Sequence, residues 1–98
     1  MCGILAVSSK GDSVCFIDDA IKSIRHRGPD DFGIFESKKN DCKLGHVRLS
    51  IMDLSSAGHQ PMYDASNRYI LSYNGEIYNF KILKKELEKK YGLIKWKS

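Results

Sequence analysis

The chain has 98 residues, 42% hydrophobic and 29% charged, which describes one globular domain and excludes both a disordered polar chain and two independent cores. Two prolines and eight glycines exclude collagen-like or Pro-rich low complexity. The net charge of +4 is local: from Asn79 onward seven lysines stand against Glu86 and Glu88, giving that stretch +5 and the rest −1.

Gly3 to Ser8 is a short apolar run rich in branched residues, the pattern of a buried strand, closed by the turn-like Ser9-Lys10-Gly11-Asp12. Val14, Ile17, Ile21 and Ile24 then recur at three- and four-residue steps, which places them on one side of a helix. Asp12 or Ser13 can cap that helix, and Gly28-Pro29 stops it. Phe32 to Glu36 and Lys43 to Ile51 read as strands flanking the polar turn at 37–41. Leu54 to Asn67 reads as a long ordered loop, and Arg68 to Tyr73 as a strand running into Asn74-Gly75. Phe80, Leu83, Leu87 and Tyr91 form the apolar stripe of a second helix ending near Gly92, with the lysines on its solvated face. Leu93, Ile94 and Trp96 read as the start of a further strand. Strand, helix, several strands and helix, with tight turns between strands, predict an α+β fold with largely antiparallel sheet.

No apolar run approaches the roughly 20 residues of a membrane span, and Ile4 to Val7 is too short for a signal-peptide core, so the chain reads as cytoplasmic. The cysteines at 2, 15 and 42 form no CxxC pair, and no His stands at metal-ligand spacing, so neither a disulfide framework nor a metal site is expected. Cys15 falls in a helical pattern and Cys42 in a polar connector. Cys2 differs by position. Trimming of the initiator Met ahead of a small residue would leave a terminal cysteine with both a thiol and a free α-amine, a nucleophile and a base in one residue. The alternative is a small residue that merely precedes a strand.

Asn74-Gly75 likewise has two readings. It is a common hairpin turn, and it is also a pair of hydrogen-bond donors suited to the oxygen that becomes negative during acyl transfer. Arg25, Arg27 and Arg48 are candidates for binding a carboxylate through paired hydrogen bonds, or are ordinary surface charges. His26, His46 and His59 are scattered and read as structural.

Five strings, met in this order, carry more: Met1-Cys2-Gly3-Ile4, Arg25-His26-Arg27-Gly28-Pro29-Asp30-Asp31, Arg48-Leu49-Ser50-Ile51-Met52-Asp53-Leu54-Ser55, Gly58-His59-Gln60-Pro61-Met62 and Asn74-Gly75-Glu76-Ile77-Tyr78-Asn79. Together they resemble the amino-terminal class II glutamine amidotransferase domain of the glutamine-hydrolysing asparagine synthetases, from residue 1 to about residue 92. The resemblance implies that Cys2 attacks the side-chain amide of glutamine, forms a glutamyl thioester and releases ammonia, with its own α-amine as base. It implies an oxyanion hole of Asn74 and Gly75, an α-carboxylate site at Arg48, a pocket lined by Leu49, Ser50, Ile51 and Met52, an α-amino site at Glu76, and a supporting Arg27.

The fold implied is part of the four-layer αββα sandwich of N-terminal nucleophile hydrolases. Residues 1–98 would be the first part of that domain, with its remainder and the synthetase domain outside this sequence. The partner implied is that synthetase domain or chain, which uses ATP and Mg and accepts the ammonia; no cofactor is implied for these residues, since no Gly-rich phosphate loop occurs in them. Two other readings compete: an inactive remnant or interaction module with unpaired strand edges, and a nucleic-acid binder built on the lysine-rich end.

Overall fold

The computed structural model describes residues 1–8, 17–39 and 41–96. Three strands, β1 (Gly3–Ser8), β2 (Asp31–Glu36) and β3 (Cys42–Arg48), form one sheet in the order β1-β3-β2, with both pairings antiparallel. The helix α1 (Ile17–Ile24) continues into a single 3₁₀ turn at Arg25–Arg27 that stops at Gly28. The predicted capping pair Asp12 and Ser13, the turn at 9–12, and Cys15 lie outside the described residues. A second 3₁₀ turn (Ser56–Gly58), a two-stranded ribbon of β4 (Met62–Tyr63) with β5 (Ile70–Leu71), and a second helix, α2 (Phe80–Tyr91), complete the described elements, the turn and β4 lying within the stretch 54–67 expected as a loop. The protein is α+β with antiparallel sheets.

Alternation along the strands decides which side meets the helix. The register Gly3 to Val47 and Phe32 to Val47 puts Leu5, Val47 and Ile34 on one face. Ile17 and Ile21 of α1 close on that face, and with Val47 they make the fully buried core, joined by Leu5, Ile24 and Ile34. The opposite face is covered by the loop at 59–60 and by the ribbon. The Phe35 ring meets the edge of Tyr63 with centroids 6.1 Å apart, and Ser72 Oγ donates to the Gly45 carbonyl at 3.4 Å.

The polar turn between β2 and β3 is tied by Ser37, whose Oγ donates to the Asp41 carboxylate at 2.6 Å and accepts the N–H groups of Asp41 and Cys42. Cys42 therefore opens β3, where the sequence suggested a connector. The turn from β4 to β5 is built the same way around Asp64, which accepts from Ser66 and from the Tyr69 N–H while Asn67 takes a left-handed φ of 56°. The Ser66 hydroxyl and then the Tyr69 N–H hold the Asp64 carboxyl down to about 2.

Three strand expectations need correction. The strand expected over Lys43 to Ile51 ends at Arg48, because the next N–H groups are taken by side chains: Leu49 donates to Cys2 Sγ and Ser50 to Asp30 Oδ2. The strand expected over Arg68 to Tyr73 shrinks to Ile70–Leu71, since the Asp64 turn claims its start and side chains from elsewhere claim Tyr73. Leu93, Ile94 and Trp96 form no strand; the Trp96 indole folds back to donate to Glu88 Oε1 at 2.7 Å. The α2 stripe is where the periodicity put it and ends at Gly92, but none of its residues is buried among the described ones.

So small a core concentrates its stabilising contacts in a few side chains. Ile21→Ala removes one of the three buried apolar residues among the described ones and is expected to lower the unfolding free energy by about 2–4 kcal/mol. Urea unfolding of the full chain reads this directly.

Candidate active site

Because Gly3 pairs with Val47, the residue before β1 lies beside the residues after β3. Cys2 Sγ sits 3.4 Å from the Leu49 nitrogen, which donates to it, and 3.8 Å from the Leu49 carbonyl. The Cys2 carbonyl accepts from Arg27 Nε at 3.2 Å, so Arg27 steadies the backbone of residue 2 from the end of the 3₁₀ turn. Met1 is 72% exposed and stands at the rim of the cavity beside Cys2.

A cavity of about 330 Å³ opens at this point, within the size range of small-molecule sites. Cys2, Arg48, Leu49, Ser50, Ile51, Met52, Asn74, Gly75 and Glu76 all border it, from three separate stretches of chain. The candidate nucleophile, one of the three candidate carboxylate clamps, the pocket wall and the donor pair are therefore at one place. Of the other two arginine candidates, Arg27 supports Cys2 from behind and Arg25 stacks at 4.3 Å over the Phe32 ring, away from the cavity.

Arg48 is more deeply committed to the protein than a clamp reading suggests. Its Nη1 donates to the Ser55 carbonyl at 2.7 Å and its Nη2 to the Asp53 carbonyl, so the guanidinium closes the 53–55 loop from inside. Gly58 packs against it: a Cβ there would stand 2.3 Å from Nη2. The guanidinium still borders the cavity and a neighbouring one shared with Asp30, Asp31 and His59.

The Arg25 to Asp31 loop serves as a brace. Gly28 lies so near β3 that a Cβ would come within 2.5 Å of the Val47 backbone, and the Asp30 N–H donates to the Arg48 carbonyl at 3.1 Å. The Asp30 carboxylate accepts the Ser50 N–H at 2.7 Å and thereby fixes the cavity wall. Asp31 Oδ2 meets His59 Nδ1 at 2.6 Å, joining this loop to the 58–62 segment. That segment contains the cis peptide Gln60-Pro61, and Gln60 Oε1 accepts the Tyr73 N–H at 2.7 Å.

Asn74-Gly75 does not form a hairpin. β5 pairs with the earlier β4, and Asn74-Gly75 lies in an open bend between β5 and α2. Tyr73 Oη fills the space above Gly75, 2.5 Å from where a Cβ would be.

Sequence reasoning missed Asp30, Gln60 and Tyr73, and it placed His46 only as structural. Asp30, Gln60 and His46 act on backbone groups far away in sequence, which leaves no spacing to read, although Asp30 and Gln60 fall inside the strings singled out above. His46 is fully buried, with Nε2 3.3 Å from the Tyr73 carbonyl and Nδ1 lacking a partner among the described residues. Since a carbonyl only accepts, Nε2 carries the proton. Burial is the main cause that pushes the imidazole below its ordinary value; the Tyr73 carbonyl and Asp31 pull it up, and Arg48 and His59 push it further down.

Comparison with known proteins agrees with this geometry. The glutamine amidotransferase domain family model matches residues 1–98, and the chain belongs to that family. It is 44% identical to a putative glutamine-hydrolyzing asparagine synthetase 2 of Methanocaldococcus jannaschii over 88% of the chain and 20% of the relative. Asparagine synthetase B of Escherichia coli is 41% identical over 93% of the chain, and asparagine synthetase 2 of Arabidopsis thaliana 42% identical over 90%. The chain spans 17% and 15% of those two relatives' lengths. No solved structure matches it. No described helix is long and apolar enough to cross a membrane.

His46 makes stability depend on pH. Its folded value lies below the ordinary 6.5, so the unfolded chain takes up the proton first. The contribution is full above about 6.5 and is lost as pH falls from there through the folded value. Urea midpoints at pH 7.5 and 5.0 are expected to diverge in the native chain, and to diverge less in His46→Gln.

Proposed function

We propose that the chain hydrolyses the side-chain amide of glutamine through a thioester on Cys2 and supplies ammonia for the conversion of aspartate to asparagine. The observation that carries this is the meeting of Cys2, Arg48 to Met52, and Asn74 to Glu76 on one cavity. The relatives named asparagine synthetase support the choice of substrate and of ammonia acceptor.

Removal of Met1, whose exposure leaves it open to an aminopeptidase, frees the Cys2 α-amine. That amine takes the thiol proton, and the sulfur attacks the amide carbon. The carbonyl oxygen becomes negative and is held by the Asn74 side-chain amide and the Gly75 N–H. Collapse breaks the carbon–nitrogen bond, and the proton held by the amine leaves with the nitrogen as ammonia. Water then attacks the thioester, releases glutamate and returns the proton to sulfur. The N–H of Leu49 donates to Sγ and fixes where the sulfur stands. Arg48 binds the substrate α-carboxylate with donors that its two carbonyl partners leave over, Glu76 binds the α-amino group, and Leu49 to Met52 form the wall between them.

In this reading the described layers belong to a four-layer αββα sandwich of the N-terminal nucleophile type, working in the cytoplasm as the first part of a longer domain. ATP and Mg serve the synthetase partner. The cavity's own polar groups, among them a thiol, a guanidinium, the carboxylates of Asp53 and Glu76 and backbone amides, fit a small amino acid and not a nucleotide phosphate with its metal, and no step runs through either.

A glutamine-analogue electrophile is expected to label Cys2 once Met1 is removed, and to leave Cys2→Ala unmodified. Asn74→Ala should cut kcat for ammonia release by about 10²–10³. Met1 retained on the purified protein, or labelling that persists in Cys2→Ala, would overturn the proposal. Ammonia release no faster than the Cys2→Ala control would favour an inactive remnant.

A further inference from the structure

The geometry points to Gln60 and His46 as positioning residues that grip the Tyr73 peptide groups from two sides and so set how Asn74 and Gly75 face the cavity. This rests on the glutaminase reading and adds to it two residues to which that reading gives no step of the chemistry.

Strand pairing of this segment stops at Leu71, yet the chain must deliver Asn74 and Gly75 to a defined place before α2 begins at Phe80. Both backbone groups of Tyr73 are bound by side chains. Its N–H donates to Gln60 Oε1 at 2.7 Å, and its carbonyl accepts from His46 Nε2 at 3.3 Å. One residue earlier, Ser72 Oγ ties the segment to the Gly45 carbonyl of β3. His46 is itself immobile, fully buried in the central strand of the sheet. Gln60 is fixed by its surroundings: its carbonyl lies against Gly33 of β2, 2.2 Å from where a Cβ would be, and its neighbour His59 is held by Asp31.

The grip passes to the donors through Tyr73 itself. Asn74 is covalently next, and the Tyr73 hydroxyl covers Gly75. Gln60 and Tyr73 also border the cavity beside Asn74. A displacement of about 1 Å in a reacting group can cost on the order of 10²-fold in rate, so loosening the Tyr73 peptide is expected to weaken the oxyanion donors while leaving the α-carboxylate and α-amino contacts in place. The prediction is thus a loss in kcat and not in KM.

The test uses the full chain and compares Gln60→Met, which keeps the length but loses the acceptor, with Gln60→Glu, which keeps an acceptor oxygen. Gln60→Met should lower kcat for glutamine hydrolysis by about ten- to a hundredfold with KM little changed, and Gln60→Glu should recover most of it. In an Asn74→Ala background the same Gln60→Met change should cost clearly less than it does in the native chain, because one of the two donors it positions is already gone. Amide hydrogen exchange at Tyr73 should quicken in Gln60→Met and stay slow in Gln60→Glu. An unchanged kcat, a rise in KM alone, or losses that multiply in the double variant would overturn the positioning role. A Tyr73 amide that exchanges freely in the native chain would overturn the grip itself, whatever the activity. If the native chain releases no Cys2-dependent ammonia while Tyr73 is protected and loses protection in Gln60→Met, the grip stands and the glutaminase reading falls.

Discussion

The antiparallel register of β1 on β3 is the constraint from which the site follows. Pairing Gly3 with Val47 leaves residue 2 no strand partner and sets its sulfur beside the Leu49 amide. Shifting β1 by one residue along β3 would turn Leu5 away from Ile17 and Ile21 while β2 keeps Val47 in place, and would open the core on that side. The hydrophobic pattern that buries the core therefore also aims the thiol. Geometry at Cys2 is determined by apolar contacts several residues away, and this links a chemical function to the packing of α1.

Beyond the sheet, the cavity is made by polar side chains that satisfy backbone groups no strand can reach. Asp30 takes the Ser50 amide, Arg48 takes the carbonyls of Asp53 and Ser55, Gln60 takes the Tyr73 amide, and His46 gives to the Tyr73 carbonyl. The Arg48 and His46 bonds are half-buried, where a peptide group left without a partner is costly, while the Asp30 and Gln60 bonds lie nearer solvent and fix their segments by geometry. The Asp31 to His59 contact joins two of the loops, and the cavity wall becomes a connected framework without regular secondary structure.

This division explains what could be read in advance. Gly3 to Ser8, the helix through Ile17, Ile21 and Ile24, the β2 strand and the α2 helix all announce themselves by apolar period, and each is present. The sequence puts the end of β3 at Ile51 because Val47, Leu49 and Ile51 alternate with polar residues; nothing in that run shows that Asp30 and Cys2 will take its next amides. Asn74-Gly75 carries the strongest local hairpin signal in the chain, and the open bend wins because Gln60 and His46 hold the preceding residue. The site residues were legible as a set through the five strings, whereas their braces act across long separations and leave no periodic trace.

Arg48 bears on how such a site can change. A guanidinium that ties two loop carbonyls together while facing the cavity cannot be exchanged to suit a ligand lacking a carboxylate without letting the loop go as well. Under the proposed role of Arg48, a change of ligand would fall instead on Ser50 to Met52 and Glu76, which border the same cavity. The side that ties the loop would then stay constant while the remaining lining varies.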